Sequence, residues 1–201
     1  MGATSEWVFG YGSLAAAQGA AGTGGAGASA AGTSAARGAY PTELLASRRW
    51  WGVAMDNRVD LPGYKWYRER ASGERADGLV AFLDVAGADG GSAVNGLCLP
   101  VDAHALARLD ARERNYERID VTSRVAHARG RVWMYAGSAA GRARLAQGVH
   151  DQSLLISQEY IDDVEHAFRG LGDGALAAYR ASTDPPPPGA EIVALERIDL
   201  P

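Results

Sequence analysis

The sequence predicts an α+β fold with a mostly antiparallel or mixed sheet, and two observations lead to this class. Short apolar segments typical of strands outnumber the helical segments, and they come in runs rather than in the strict strand–helix alternation of parallel α/β proteins. In addition, a chain of 201 residues with 47% hydrophobic residues suits one globular domain with a single core. We therefore expect one domain over residues 1–201, whose sheet could close into a barrel.

The strands are marked by apolar or alternating segments that end at polar or glycine-containing turns. The predicted strand segments are residues 6–10, 48–57, 78–86, 93–101, 117–125, 131–137 and 191–200. A turn at 127–130 should make a hairpin of the two segments that flank it. Helices are predicted for residues 102–113, which begin with Asp102 as a good N-cap, and for residues 154–172, which carry apolar side chains at helical spacing.

Two segments are expected to connect rather than to pack. Residues 15–36 are nearly all Ala, Gly, Ser and Thr, so they have little side chain to bury and their glycines carry a large ordering cost. We interpret this stretch as a flexible surface insertion without chemistry of its own. The segment DPPPPG at 184–189 is interpreted as a rigid connector.

Composition excludes several classes of function. The net charge of −4 argues against nucleic acid as a main partner. Neither a basic, then apolar leader nor an apolar window of membrane-spanning length is evident, so we expect a cytoplasmic protein without membrane contact. Cys98 is the only cysteine and should be a buried thiol, and the four histidines lack metal-ligand spacing, which predicts no metal site. The sequence gives no indication of the oligomeric state.

A glycine-containing turn follows the first strand. Gly10, Gly12 and Ala15 match G-x-G-x-x-A, but the glycines that follow oppose the helix a dinucleotide-binding fold needs, so we expect no NAD(P) site. Small residues after a buried strand can instead direct consecutive backbone N–H groups into a cavity, where they bind a carboxylate or an oxyanion. A tight turn that merely requires glycine fits the same spacing, and both interpretations remain open.

An acidic residue falls on the apolar side of the helix predicted at 102–113. Glu113 comes seven residues after Leu106 and four after Leu109, so its side chain should face the interior, whereas Arg108 points away. Burial raises the pKa of a carboxyl group and would cost several kcal/mol without a purpose. A frayed helix end or an arginine from elsewhere would make Glu113 structural instead. Asp110 could be a second acid or a solvated flank.

Four segments in this order resemble the γ-glutamylcyclotransferase family. The first is similar to that family's F-x-Y-G-S-x-L signature, the second to its L-D-x-x-E segment, the third to a hairpin strand with a central tyrosine, and the fourth to its S-x-x-Y helix start. In this chain they read VFGYGSL (8–14), LDARERNYERIDV (109–121), RVWMYAG (131–137) and ISQEYIDDV (156–164). Together they span most of the chain outside the insertion and the tail.

The resemblance implies a small β-barrel flanked by helices and an enzyme that releases 5-oxoproline from a γ-glutamyl compound without metal or organic cofactor. It implies that Glu113 is the general acid/base and that the backbone of residues 11–14 binds substrate. Two departures put the substrate in doubt: Arg114 stands where many relatives have Gly, and Leu14 directly follows Ser13. γ-Glutamyl amino acids, glutathione, γ-glutamylamines and a γ-glutamyl-protected intermediate all remain open, as does a non-catalytic protein that binds a small amino-acid-like ligand.

Catalysis by this family would use a small set of groups. A carboxylate can take the proton of the attacking α-amine and return it to the leaving amine. Candidate oxyanion donors are the backbone N–H groups around Gly12, Ser13 and Leu14. Candidate side chains that orient the α-carboxylate or close the pocket, with core packing as the alternative for each, are Tyr11, Tyr116, Tyr135 and Tyr160.

Overall fold

The computed structural model describes residues 6–15 and 38–200, so the predicted insertion at 15–36 lies outside the described residues except for Ala15. A helical turn begins at Ser13. The strands are β1 (Glu6–Gly10), β2 (Tyr40–Leu45), β3 (Ser47–Asp56), β4 (Lys65–Glu69), β5 (Leu79–Gly87), β6 (Ala93–Val101), β7 (Tyr116–Asp120), β8 (Arg131–Gly137), β9 (Leu154–Ser157), β10 (Glu191–Val193) and β11 (Leu195–Asp199). The helices are α1 (Ala103–Arg112), α2 (Ala139–His150), α3 (Gln158–Gly170) and α4 (Ala175–Ala181).

The strands form sheets of mixed direction. One sheet has the order β2-β6-β1-β8-β7, a second has the order β10-β9-β5-β3, and β11 pairs with β4. Strand β1 is central in the first sheet, where it pairs antiparallel with β6 and parallel with β8. The four helices all lie between β6 and β10, where two strands separate α1 from α2 and α4 follows α3 directly, so strict strand–helix alternation does not occur. The predicted α+β class with a mixed sheet is therefore confirmed.

The barrel expected from the sequence is a wrong prediction for the described part of the chain, where none of these sheets closes on itself. The outer strands of the first sheet are β2 and β7, and β7 is exposed over residues 117–120. Asp120 accepts hydrogen bonds from the N–H and the hydroxyl of Thr122, which turns the chain into a short 3₁₀ helix. Beyond this point the described chain meets β2 through an isolated bridge between Leu44 and Val125 and through side-chain hydrogen bonds such as that from the Thr42 hydroxyl to the Ala126 carbonyl oxygen, and not through a continuous strand ladder.

Several other segments differ from the sequence prediction. Strands β2 and β4 and helix α4 were not predicted, the strand expected at 117–125 ends at Asp120, and the single strand expected at 191–200 is divided into β10 and β11 in different sheets. Residues 154–157 were expected to be helical, but they form strand β9, which lies between β5 and β10 and pairs parallel with both. Their side chains are all buried, and a short apolar run of this kind is compatible with a strand or a helix until the sheet supplies partners. The unpredicted helix α2 packs small residues against β3; a Cβ atom on Gly141 would lie 2.7 Å from the Asn115 carbonyl oxygen.

The apolar core has two main parts, one on each face of the β3–β5 pair. Trp51 and Leu83 belong to the part that faces β1 and β6, and Val53 and Phe82 belong to the part that faces β4. Tyr160, near the start of α3, packs against both parts. The pocket described below lies at this junction. No helix among the residues described is long and apolar enough to cross a bilayer.

Candidate active site

A pocket lies where β1, β5, α1, β7, β8 and α3 meet. Its cavity volume is only about 20 Å³, and the cavity opens at its mouth to solvent. The structure brings the predicted acid/base Glu113 and the seven predicted substrate-binding residues to this one pocket and adds Leu83, so the lining is Tyr11, Gly12, Ser13, Leu14, Leu83, Glu113, Tyr116, Tyr135 and Tyr160. These residues come from five separate parts of the sequence, and the topology alone makes them neighbours.

The turn after β1 presents backbone donors to this pocket. The Ala15 N–H donates to the Gly12 carbonyl oxygen at 2.9 Å, which starts a helical turn. The first N–H groups of a helix have no intrahelical acceptor, and they carry partial positive charge. Within the described ranges, no acceptor faces the N–H groups of Gly12, Ser13 or Leu14. A side chain at position 12 would crowd the pocket, because an added Cβ would lie 3.1 Å from the Tyr160 hydroxyl oxygen and Tyr160 would have to shift.

Arg49 on β3 holds this turn from behind. Its side chain is fully buried, and its Nε donates to the Tyr11 carbonyl oxygen at 2.8 Å. The hydrogen bonds that Arg49 makes to described residues all go to uncharged oxygens, those of Tyr11, Asn95, Tyr179, Ser182 and Thr183. Its guanidinium carbon also lies 4.6 Å from the Tyr179 ring centroid. Burial lowers the pKa of Arg49 to about 10, so it stays cationic at neutral pH.

Sequence reasoning missed Arg49, although a signal was present. In a strand, alternate side chains share a face, and Arg49 alternates with the buried Ser47 and Trp51. An arginine on the inward face of a strand needs many hydrogen-bond acceptors. The sequence could therefore have flagged Arg49, but it could not have shown that the Tyr11 carbonyl is one of them.

Glu113 sits at the end of α1 rather than within it. It is the C-cap residue, and its N–H donates to the Leu109 carbonyl oxygen at 2.9 Å. The side chain is 13% exposed and reaches the pocket. The neighbouring Arg112 donates through Nε and Nη2 to Oε1, each at 2.9 Å. Oε2 has no hydrogen-bond donor from the part of the chain described, and it is the oxygen available to a ligand.

Three of the four pocket tyrosines use their hydroxyl protons within the protein. Tyr11 donates to the Tyr135 carbonyl oxygen at 2.6 Å, and Tyr116 donates to the Leu83 carbonyl oxygen at 2.8 Å. Tyr135 donates to Asp110 at 2.8 Å. Tyr160 is the one of the four whose hydroxyl proton has no acceptor among the described residues, although its hydroxyl oxygen interacts with the Leu83 backbone N–H. Burial raises the pKa of all four tyrosines, so each hydroxyl is protonated at neutral pH.

Two aspartates near the pocket have structural partners. Asp110 accepts from Tyr135 and pairs with Arg118 at 3.1 Å, and it does not line the pocket, so a role as second acid finds no support. The fully buried Asp84, next to Leu83, accepts from the Gly137 N–H at 2.8 Å and from Arg142 at 2.9 Å. Asp84 thereby ties β5 to β8 and α2 directly behind the pocket.

The remaining candidates of the sequence lie away from this pocket. Cys98 is fully buried in the first sheet. The four histidines are exposed and scattered, at positions 104, 127, 150 and 166. Among residues 6–15 and 38–200, no group of three His, Cys, Asp or Glu side chains is arranged to hold a metal ion.

Comparison with known proteins finds relatives only at the level of structure. No protein-family model matches the sequence, and no curated protein matches it. The crystal structure of YkqA from Bacillus subtilis aligns with a TM-score of 0.52 at 13% identity, covering 88% of this chain and 53% of YkqA. A structure named γ-glutamyl cyclotransferase aligns with a TM-score of 0.46 at 13% identity, covering 90% of this chain and 89% of that one. A yeast γ-glutamyl cyclotransferase specific to glutathione gives 0.49 at 13% identity, with 90% and 96% covered.

These alignments show the fold and nothing about activity. The YkqA alignment is the one with a TM-score above 0.5, and this chain spans about half the length of that structure. The chain thus shares the fold of YkqA over the part that the alignment covers, and among the described residues this is an α+β fold without a closed barrel. The two alignments to γ-glutamyl cyclotransferases cover most of both chains, but their TM-scores lie below 0.5 and add no evidence on the reaction.

Proposed function

We propose that this protein is a γ-glutamylcyclotransferase that releases 5-oxoproline from a γ-glutamyl amide without a cofactor. One observation carries the proposal: the free Oε2 of Glu113 and the unpaired N–H groups of residues 12–14 border the same small pocket. A proton carrier and a group of oxyanion donors are the two functions that this cyclisation requires.

The substrate carries its own nucleophile. When the γ-glutamyl chain folds back, the α-amine nitrogen forms a bond to the γ-carbonyl carbon, and the bond from that carbon to the leaving amide nitrogen then breaks. A narrow pocket favours this folded conformer, which lowers the entropic part of the barrier. The α-amine, with an ordinary pKa of about 8, gives its proton to Glu113 Oε2. Glu113 returns a proton to the leaving nitrogen, so charge and atoms balance.

The turn after β1 has a separate role in this scheme. Negative charge develops on the γ-carbonyl oxygen during attack, and the N–H groups of Gly12, Ser13 and Leu14 stabilise it without a reorganisation cost. The buried Arg49 cation behind the Tyr11 carbonyl adds positive potential on the same side. The free hydroxyl of Tyr160 is the donor that we assign to the α-carboxylate of the substrate.

The test is a panel of γ-glutamyl compounds assayed for 5-oxoproline. γ-Glutamyl amino acids, glutathione and γ-glutamylamines are incubated with wild-type protein and with Glu113→Gln. We expect release from at least one class by wild type and a loss of roughly 10²- to 10⁴-fold in kcat in the variant, because the amide cannot act as a base. Thermal unfolding of both proteins provides the control for folding. Normal turnover by Glu113→Gln would contradict the assignment of the base.

A non-catalytic binding protein is the second candidate. Two observations favour it. The Arg112 guanidinium is paired with Glu113 Oε1, and the hydroxyls of Tyr11, Tyr116 and Tyr135 donate to groups of the protein itself, so fewer groups are left for chemistry. The same panel separates the two functions. A binding protein would give a heat of binding with a γ-glutamyl compound in titration calorimetry and no 5-oxoproline.

A further inference from the structure

The single lysine of the chain has no acidic partner. Lys65 is the first residue of β4, and within the described ranges its amine forms neither a hydrogen bond nor an ion pair. The residue directly opposite, on β11, is Asp199, and residues opposed across antiparallel strands project from the same face. The Asp199 carboxylate is paired with Arg197 instead, at 2.6 Å from Nη2. The carboxylate that faces Lys65 is therefore already used.

Three aromatic rings surround this amine. The Lys65 Nζ lies 4.4 Å from the ring centroid of Phe82, 5.6 Å from that of Tyr64 and 5.7 Å from that of Tyr67. All three rings are buried in the part of the core that faces β4. Ring faces attract an ammonium only modestly, and they do not replace the hydrogen bonds that the ammonium makes in water. The surroundings therefore leave the charged form of this amine poorly solvated.

The charges around the amine do not compensate for this loss of solvation. They are Arg197 and Asp199 on β11, and Arg112 and Glu113 at the end of α1. Burial first, and then the Arg197 charge, lower the pKa of Lys65 to about 7, and the charge of Glu113 acts in the opposite direction. At pH 7 about half of the molecules thus carry the neutral amine. An ordinary lysine is neutral in roughly one molecule in 2,500 at this pH.

We propose that Lys65 is a modification site at which small acyl phosphates transfer their acyl group to the unpaired amine inside this ring of aromatic side chains. The amine nitrogen forms a bond to the acyl carbon, the bond from that carbon to the phosphate oxygen breaks, and phosphate leaves while the amine proton passes to water. The amide product is neutral, so aromatic surroundings suit it better than the ammonium. Lys65 is half-buried, which favours a small donor. The inference is independent of the proposed cyclotransferase function.

Acetyl phosphate is the probe that tests this site, with a peptide of residues 60–70 as the reference for the same lysine outside the fold. Mass spectrometry after digestion measures the acetylation rate of Lys65 in both. At pH 7 we expect the folded protein to react about tenfold faster or more; the gain is smaller than the difference in neutral amine because a less basic amine is a weaker nucleophile. The rate in the protein should level off above about pH 8, whereas that of the peptide should rise towards pH 10.

Two matched variants test whether these surroundings set the reactivity. Arg197→Gln removes a positive charge and leaves Asp199 free to pair with Lys65, so the rate at pH 7 should fall by about threefold or more. Arg68 forms the equivalent cross-strand pair, with Glu196, on the opposite face of β4 and β11, and Arg68→Gln should leave the rate unchanged. A rate in the protein no higher than in the peptide overturns the proposal, and so does an Arg197→Gln variant that reacts as fast as wild type.

Discussion

The two sides of the pocket are held by different kinds of interaction. The turn wall, residues 11–14, is fixed from behind by the fully buried Arg49, which binds the Tyr11 carbonyl oxygen. The helix-end wall, residues 113–114, is fixed by a backbone cap and by an ion pair to Arg112, whose side chain is 44% exposed. One wall is therefore part of the core, and the other is part of the surface.

This difference matches the work that we propose for each wall. Oxyanion donors stabilise a transition state best when they are already in place, because then no reorganisation is needed during the reaction. A carboxylate that moves a proton from one nitrogen to another needs contact with both and some freedom between them. Changes behind the turn wall should accordingly affect stability and activity together, whereas changes at the helix-end wall should affect activity with little effect on stability.

The largest effect on stability is expected for Arg49→Met. The variant leaves several buried oxygens without their donor, so we expect the free energy of unfolding to fall by about 3 kcal/mol or more. Arg49→Lys should recover only part of it, since an ammonium cannot reproduce the fork of guanidinium donors. The control is Arg48→Met, because Arg48 is 56% exposed and paired only with Asp184. Urea unfolding measures the free energy of unfolding of all three variants. Equal decreases for Arg48→Met and Arg49→Met would show that the buried arginine does not hold the turn wall more firmly than a surface arginine could.

The same contrast explains what the sequence could and could not predict. The bounds predicted for strands 6–10, 93–101 and 131–137 are those of the structure, because each segment is a short apolar run that ends at a glycine or a polar turn. The pocket residues also meet as a set, since the motifs that nominated them follow strand and helix ends that the topology brings together. Local chemistry was sufficient for the strand bounds, whereas the pocket set also needed the resemblance to a known family.

Features that depend on distant partners could not be predicted from local patterns. Residues 154–157 become a strand only because β5 and β10 are there to pair with them. The strand predicted at 117–125 ends early because the Asp120 side chain accepts from Thr122 as the chain turns into a 3₁₀ helix. Arg49 and Lys65 each contact residues from several distant parts of the chain. The ion pair between Arg112 and Glu113 depends on where α1 ends.

A smaller effect is expected for Tyr160→Phe, which tests the role assigned to the Tyr160 hydroxyl in the pocket. Its hydroxyl oxygen interacts with the Leu83 backbone, but its proton has no acceptor among the described residues, so we expect little change in stability and a fall in kcat/KM of about tenfold, the size of one hydrogen bond to a charged substrate group. Tyr116→Phe is the matched control. It removes a bond to the Leu83 carbonyl oxygen and should cost about 1 kcal/mol of stability with little change in activity. The opposite pattern would show that the hydroxyls have been assigned the wrong way round.

The smallest effect is expected for Arg112→Gln, at the helix-end wall. A surface ion pair contributes about 0–1 kcal/mol, so the free energy of unfolding should change by no more than that. Activity should fall by less than about fivefold, because Glu113 keeps its backbone cap and loses only the contact that orients Oε1. Salt screens an exposed pair, so kcat/KM of the wild type should approach that of the variant as sodium chloride rises to about 1 M.

Kinetics at low and high salt, with Arg108→Gln as the control for lost charge, measure this difference. A complete loss of activity in Arg112→Gln would mean that Glu113 depends on its ion pair as strictly as the turn depends on Arg49. Both walls would then be rigid, and the proton would have to move between two nitrogens that the same fixed oxygen can reach.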